Sequence, residues 1–209
     1  MGDVVGHSIE AAVTMGQMRN AVRGMAPWCA DPGRLLYSAN EIACRIDGAS
    51  FVTMAYATFD AAVGNLFYAC AGHPPPLLVR ADGSSEYLMG GRGYPLGCRL
   101  PATGPTAQAR LELGDRVVLY SDGLIERRGE DLLIGMEQLR RVASTVQDWS
   151  ASDISEQLAA GMPLEHPLRD DLCVLTMHYS ECPEAVPAAG VHLGPLALGQ
   201  HDLHSVSCR

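Results

Sequence analysis

The segment Val117-Val118-Leu119-Tyr120-Ser121-Asp122-Gly123-Leu124-Ile125-Glu126 constrains the fold of this chain more than any other. An apolar run of β-formers ends at a carboxylate, and a glycine follows at once. A run of this kind reads as a buried strand. Gly123 lets the backbone turn sharply where the strand stops, so Asp122 is delivered to a sheet end. Two further acidic sites have a similar setting. Asp3 lies in Met1-Gly2-Asp3-Val4-Val5-Gly6-His7, which reads as the last step of a strand and its turn. Asp170 and Asp171 lie in Arg169-Asp170-Asp171-Leu172-Cys173-Val174-Leu175, just before another apolar run. An aspartate before glycine is by itself most often a turn residue. Three carboxylate sites at strand ends, far apart in sequence, are instead what a hard, oxygen-loving divalent cation takes.

The rest of the composition is compatible with such a site and excludes some alternatives. The 209 residues suffice for one domain with a real core. A formal net charge of −9 speaks against a nucleic-acid surface, which needs clustered Lys and Arg. No apolar run approaches the roughly 18 residues of a membrane span, and the N-terminus lacks the charged-then-apolar pattern of a signal peptide. The seven cysteines are odd in number and show no C-x-x-C spacing. They read as reduced, buried thiols of a cytoplasmic protein.

Taken in order, Ser8 can cap a helix running through Met25, with Ala11, Met15, Met18 and Val22 on its apolar face. Asp31 and Pro32 open a second helix to about Arg45. Strands follow at 51–59 and 65–71, then a second hairpin, 77–80 and 85–88, around Asp82-Gly83. The Gly- and Pro-dense stretch 90–106 leads to a strand at 107–113. After Asp122, a helix from Leu132 to about Val146 carries Leu133, Met136, Leu139, Val142 and Val146 on one face. Ser152 or Asp153 caps another that runs to about Ala160, and a strand spans 172–179. Asp82 and Asp115 read as turn residues, Glu126 as a solvated carboxylate and His73 as structural. Residues 1–179 are expected to form the domain, and 180–209 a poorly ordered tail rich in Pro, Gly, Ala, Ser and His.

Five of these segments, in this order, resemble one family. Gly2-Asp3-Val4-Val5-Gly6-His7-Ser8 resembles the Gly-Asp-Val-x-Gly-His-Gly signature of SpoIIE-like serine phosphatases, the bacterial branch of the metal-dependent PPM phosphatases. Ala71-Gly72-His73-Pro74-Pro75-Pro76 resembles their Ala-Gly-His-x-Pro turn, and Tyr94-Pro95-Leu96-Gly97 their Pro-Leu-Gly loop. Gly114-Asp115 through Glu126 is similar to their Gly-Asp…Tyr-(Thr/Ser)-Asp-Gly-(Val/Leu)-x-Glu block. Arg169 to Leu175 is similar to their closing Asp-Asp block. The resemblance implies an α+β fold, an αββα sandwich of two antiparallel sheets flanked by helices. It implies a protein serine/threonine phosphatase in which a metal-activated water attacks phosphoserine or phosphothreonine. The substrate would be a regulatory phosphoprotein, an anti-sigma factor antagonist.

Residue by residue, the resemblance assigns Asp3 and the Val4 carbonyl to the metals, together with Asp122 and Asp170, with Asp171 as the alternative to Asp170. The ions would be two Mn²⁺ or Mg²⁺. The family places two more strands and an acidic motif before the first match, and Ser8 stands for the usual glycine. An N-terminally incomplete domain is therefore expected. So is a second reading, a catalytically impaired module that binds a regulatory partner.

Overall fold

The computed structural model describes residues 1–6, 8–46, 51–98, 104–145, 154–163, 171–181 and 206–208. His7, Val146, Ser152, Asp153, Asp170 and Cys182 lie outside the described residues. The element order is β1 (Gly2–Val4), α1 (Ile9–Met25), a 3-10 turn (Ala26–Trp28), α2 (Pro32–Ala43), β2 (Val52–Asp60), β3 (Asn65–Ala71), β4 (Leu77–Val79), β5 (Ser85–Tyr87), β6 (Arg92–Gly93), β7 (Ala107–Arg110) and β8 (Arg116–Tyr120). A 3-10 turn (Asp122–Leu124), α3 (Leu132–Ala143), α4 (Ile154–Gly161), β9 (Cys173–His178) and β10 (Val206–Cys208) complete it.

The helices start where short polar side chains can meet exposed N–H groups. Ser8 Oγ accepts from Ala11 N, Asp31 Oδ1 from Arg34 N and Asp131 Oδ1 from Leu133 N. Pro32 sits at the first position of α2, where its missing N–H costs nothing. On α1, Ala11 and Met18 are buried, and Met15 and Val22 pack against the same core.

The strands form two five-stranded sheets. The first has the order β1-β2-β3-β6, with β7 also paired to β3; the second has the order β10-β9-β8-β4-β5. Pairing is antiparallel except for the two-residue strand β6, which runs parallel to β3. Three apolar layers show how the sheets stack. Val4, Val52, Met54, Ala69 and Ala71 pack on Met18, Leu35, Leu36 and Ala39 of α1 and α2. Leu77, Val118, Tyr120 and Val174 pack on Met136, Leu139, Ile154 and Leu158 of α3 and α4. Between the sheets, Leu66 and Tyr68 of β3 meet Leu78 and Val117 of β4 and β8. The result is a four-layer αββα sandwich, as the resemblance implied.

Several details depart from the sequence reading. The strand expected at 107–113 ends at Arg110, because Gly114 turns at φ 93° and Asp115 ties the intervening loop down. Leu133, expected on the apolar face of α3, is exposed, since the contact face is set by Met136 and Leu139. Of the five described cysteines with a burial assignment, only Cys70 is buried; Cys29, Cys44, Cys98 and Cys173 are partly exposed, and all five are free thiols. Within the expected tail, Val206–Cys208 pairs with Cys173–Leu175 of β9.

Asp115 is more than a turn residue. It is 2% exposed and accepts hydrogen bonds from the Arg80 guanidinium (3.0 Å), Ala81 N (3.0 Å) and Glu112 N (2.9 Å). This knot joins the β4–β5 hairpin to the start of β8. Asp115→Ala leaves three part-buried donors without their buried acceptor and should destabilise the fold by about 3 kcal/mol in urea unfolding, whereas the exposed Asp82→Ala should leave the urea midpoint nearly unchanged.

Candidate active site

Side chains alternate across a strand, so the residues flanking Val4 point away from the α1/α2 layer. Asp3 therefore faces the inter-sheet side, and so does Thr53, its antiparallel partner on β2. Directly opposite residues keep their Cβ atoms within about 5.5 Å. The Asp3 carboxylate turns back on its own strand, with Oδ1 accepting from Val4 N at 2.9 Å.

Asp122 enters from the facing sheet. β8 is central there, and it ends at Tyr120. Ser121 then locks the strand end to the next strand. Its N–H donates to Cys173 O, its hydroxyl donates to Asp171 O at 2.7 Å, and Cys173 N donates back to the hydroxyl oxygen at 2.9 Å. The Asp122 carbonyl accepts from Ile125 N and Glu126 N, which closes the 3-10 turn, and its carboxylate Oδ1 is buried. Asp171 is exposed, and Glu126 is exposed, as its solvated reading required. The Asp171 backbone thus lies one hydrogen bond from the residue before Asp122. Among the described residues, no three His, Cys, Asp or Glu side chains gather into a group that could hold an ion. Asp170, the remaining acidic candidate, lies outside them.

Two of the Gly/Pro motifs brace the strand that Asp3 pairs with. Leu96 exchanges backbone hydrogen bonds with Val52 (3.1 and 2.8 Å), and Gly72 bridges to Met54. Gly72 has φ 67°, and a Cβ there would come within 2.4 Å of the Pro95 ring, so the Ala-Gly-His turn and the Pro-Leu-Gly loop fit only because residue 72 is glycine. Asn40, 4% exposed on α2, holds the second loop from below. Its Oδ1 accepts from Gly97 N at 2.9 Å, and its Nδ2 donates to Cys98 O at 3.3 Å. The sequence reading missed Asn40; its signal was a polar residue on the apolar stripe of α2.

His73 follows Gly72 and is 2% exposed. Its Nδ1 lies 3.0 Å from Thr53 Oγ1. Burial pushes its pKa down to about 4, helped by the Met1 amino group and opposed by the Tyr120 backbone carbonyl. That carbonyl is close, but Nε2 makes no well-formed hydrogen bond. Burial likewise lowers the Met1 amino group, which donates to Ala55 O and lies within electrostatic reach of Cys173 and Cys70.

The sign of the His73 effect follows from proton counting. The unfolded imidazole takes up a proton near pH 6.5, and the folded one only near pH 4. Stability should therefore fall as pH drops from 6.5 to 4, by up to about 3 kcal/mol, and stay flat in this respect above 6.5. His73→Asn should remove that component, seen as a smaller difference between denaturant midpoints at pH 7 and pH 4.5.

An αββα sandwich of the PPM-phosphatase type is the class that this fold defines. The Stage II sporulation protein E (SpoIIE) family model matches residues 1–180, and the chain belongs to that family. It is 26% identical over 159 residues to the phosphoserine phosphatase RsbU of Bacillus subtilis (strain 168), covering 76% of this chain and 48% of RsbU. The solved RsbU and RsbW domains of Rv1364c from Mycobacterium tuberculosis are 34% identical, with a TM-score of 0.66 over 75% of this chain and 45% of that one. The structure of RsbX in complex with magnesium shares the fold at 18% identity, with a TM-score of 0.61 over 83% of this chain and 76% of that one. The chain thus spans about half the length of RsbU. No described helix is long and apolar enough to cross a membrane.

Proposed function

We propose that this chain carries a divalent-metal-dependent protein serine/threonine phosphatase centre. Its substrate is a phosphorylated regulatory protein, in keeping with the phosphoserine phosphatase RsbU; the family resemblance points to an anti-sigma factor antagonist. The observation that supports this reading is the placement of Asp3 on β1 of one sheet and of Asp122 just past the end of β8 in the other, inside the span that the family model matches. Their donors are all oxygen, which suits Mn²⁺ or Mg²⁺ over zinc. RsbX, solved with magnesium, supports the same preference.

Asp3, the Val4 carbonyl, Asp122 and one of Asp170 and Asp171 would hold the ions. Two such ions, when bound, would acidify a water and neutralise phosphoryl oxygens as charge builds. The chain's own part is positional. The Ser121 knot holds the Asp122 end of β8 against the Asp171 backbone, and β2 with its two bracing loops holds β1. With a formal net charge of −9 and acidic side chains as the proposed ligands, the chain would need bound cations to offset a phosphoryl group's charge, so activity without divalent ions should be negligible.

A second reading, a phosphatase-like module that binds a regulatory partner without turning it over, is favoured by one fact. Among the described residues, three acidic side chains do not converge. Phosphate release from a serine-phosphorylated antagonist protein, in Mn²⁺, in Mg²⁺ and in EDTA, decides between the two. Release should require the ion and be at least tenfold faster than from p-nitrophenyl phosphate at equal concentration. Equal background in all three buffers from a folded chain would leave only the binding module.

A further inference from the structure

The Ala-Gly-His turn crosses from β3 in the first sheet to β4 in the second, and His73 is the residue at the crossing. On one side it touches Thr53, which stands directly opposite Asp3. On the other its Nε2 is buried without a hydrogen-bond partner, on the side where the turn meets Tyr120, two residues before Asp122. The turn is tied to β8 there, since the Tyr120 hydroxyl donates to Pro75 O at 3.1 Å. Gly72 and the Pro95 ring close it from the first-sheet side. The imidazole is thus a rigid, buried spacer with one neighbour from each strand that carries an aspartate, or from the strand paired to it.

We propose that His73 is a positioning residue that sets the separation of Asp3 and Asp122 by wedging Thr53 of one sheet against the end of β8 in the other. The proposal rests on the metal-phosphatase reading for its functional consequence, but not for its structural content. A plain core histidine would stabilise the sandwich without favouring either aspartate. A wedge transmits its removal to both strand ends.

The test compares His73→Ala, His73→Asn and Thr53→Val with the unmodified chain. Asparagine can keep a polar group toward Thr53, and valine keeps the shape of Thr53 without its hydroxyl. Backbone amide resonances of Val4 and Gly123 are followed without any divalent ion, and Mn²⁺ affinity is then measured by calorimetry. His73→Ala should move both amides and weaken Mn²⁺ binding at least tenfold. His73→Asn should bind within about threefold of the unmodified chain, and Thr53→Val should move Val4 and weaken binding several-fold.

Shifts confined to residues 71–76 in the Ala and Val variants would overturn the proposal, whether or not Mn²⁺ binds. So would unchanged Mn²⁺ affinity in His73→Ala. If His73→Ala does not fold, the Thr53→Val result decides by the same criteria. Failure of the unmodified chain to bind Mn²⁺ would overturn the metal-site reading alone, and the amide shifts would still decide the wedge.

Discussion

An Asp122→Asn chain is expected to lose at least a hundredfold in Mn²⁺ affinity while melting within a degree or two of the unmodified chain. The two outcomes separate because Asp122 does two jobs with different atoms. Its backbone carbonyl closes the 3-10 turn through Ile125 N and Glu126 N, and asparagine keeps that carbonyl and the turn preference. Its carboxylate supplies the negative charge, and Oδ1 is buried at the end of the central strand. Removing a charge from an oxygen site for a hard cation costs far more than the ordinary hydrogen bond that replaces it. A hundredfold loss corresponds to about 2.7 kcal/mol. Phosphatase activity should fall with affinity and recover only in part at high Mn²⁺. Glu126→Gln, four residues on and exposed, serves as the control and should change neither quantity. Equal calorimetric affinity for the Asn and Asp chains would remove Asp122 from the site.

What was legible in the sequence follows from which forces act locally. The central strand was readable because four apolar residues in a row can only be buried, and it ended where Ser121-Asp122-Gly123 changes chemistry. Helix starts were readable at Ser8, Asp31 and Pro32 because caps are made by neighbours in the chain. Leu133 was misplaced because one turn of helix offers several apolar residues, and the rotation is chosen by packing against distant strands. Asp115 looked like a turn residue because its sequence neighbours are Gly114 and a strand; its donors, Arg80 and Ala81, come from another hairpin. His73 was read as structural, and it is buried, yet no local pattern could show that Thr53 and Tyr120 flank it from two sheets. The interlock of Gly72 with Pro95 explains why two separate motifs carry glycine and proline, a reason invisible until both loops meet on β2. Asp3 and Asp122 were legible as strand-end carboxylates, whereas their placement on two different sheets is a matter of topology that no local pattern carries.

Gly135→Ala should destabilise the domain by about 3 kcal/mol, although alanine is the better helix former. Gly135 lies in α3 and presses on the backbone of the turn that follows Asp122. A Cβ at this position would stand 1.9 Å from Ile125 O, 2.7 Å from its carbonyl carbon and 3.0 Å from its Cα. Backbone cannot swing aside as a flexible side chain can, so either α3 or the 122–125 turn must move. The intrinsic gain from Gly to Ala in a helix is at most about 1 kcal/mol, while overpacking a tight contact costs about 1–3 kcal/mol or more. The contact term wins, because α3 also buries Met136, Leu139 and Ala143 and cannot retreat without opening that core. Gly16→Ala in α1 tests the same bookkeeping with the opposite sign. Nothing lies within 4 Å of the added Cβ there, so helix propensity acts alone and the chain should gain about 0.5–1 kcal/mol. Because Ile125 N donates to Asp122 O, the shift in Gly135→Ala should also reach Asp122, the proposed metal ligand. At a temperature where the variant is still folded, its Mn²⁺ affinity should fall several-fold, which Gly16→Ala should not show. A Gly135→Ala chain that melts at or above the unmodified one would mean that α3 packs against the turn with slack, and the coupling of helix to ligand would go with it.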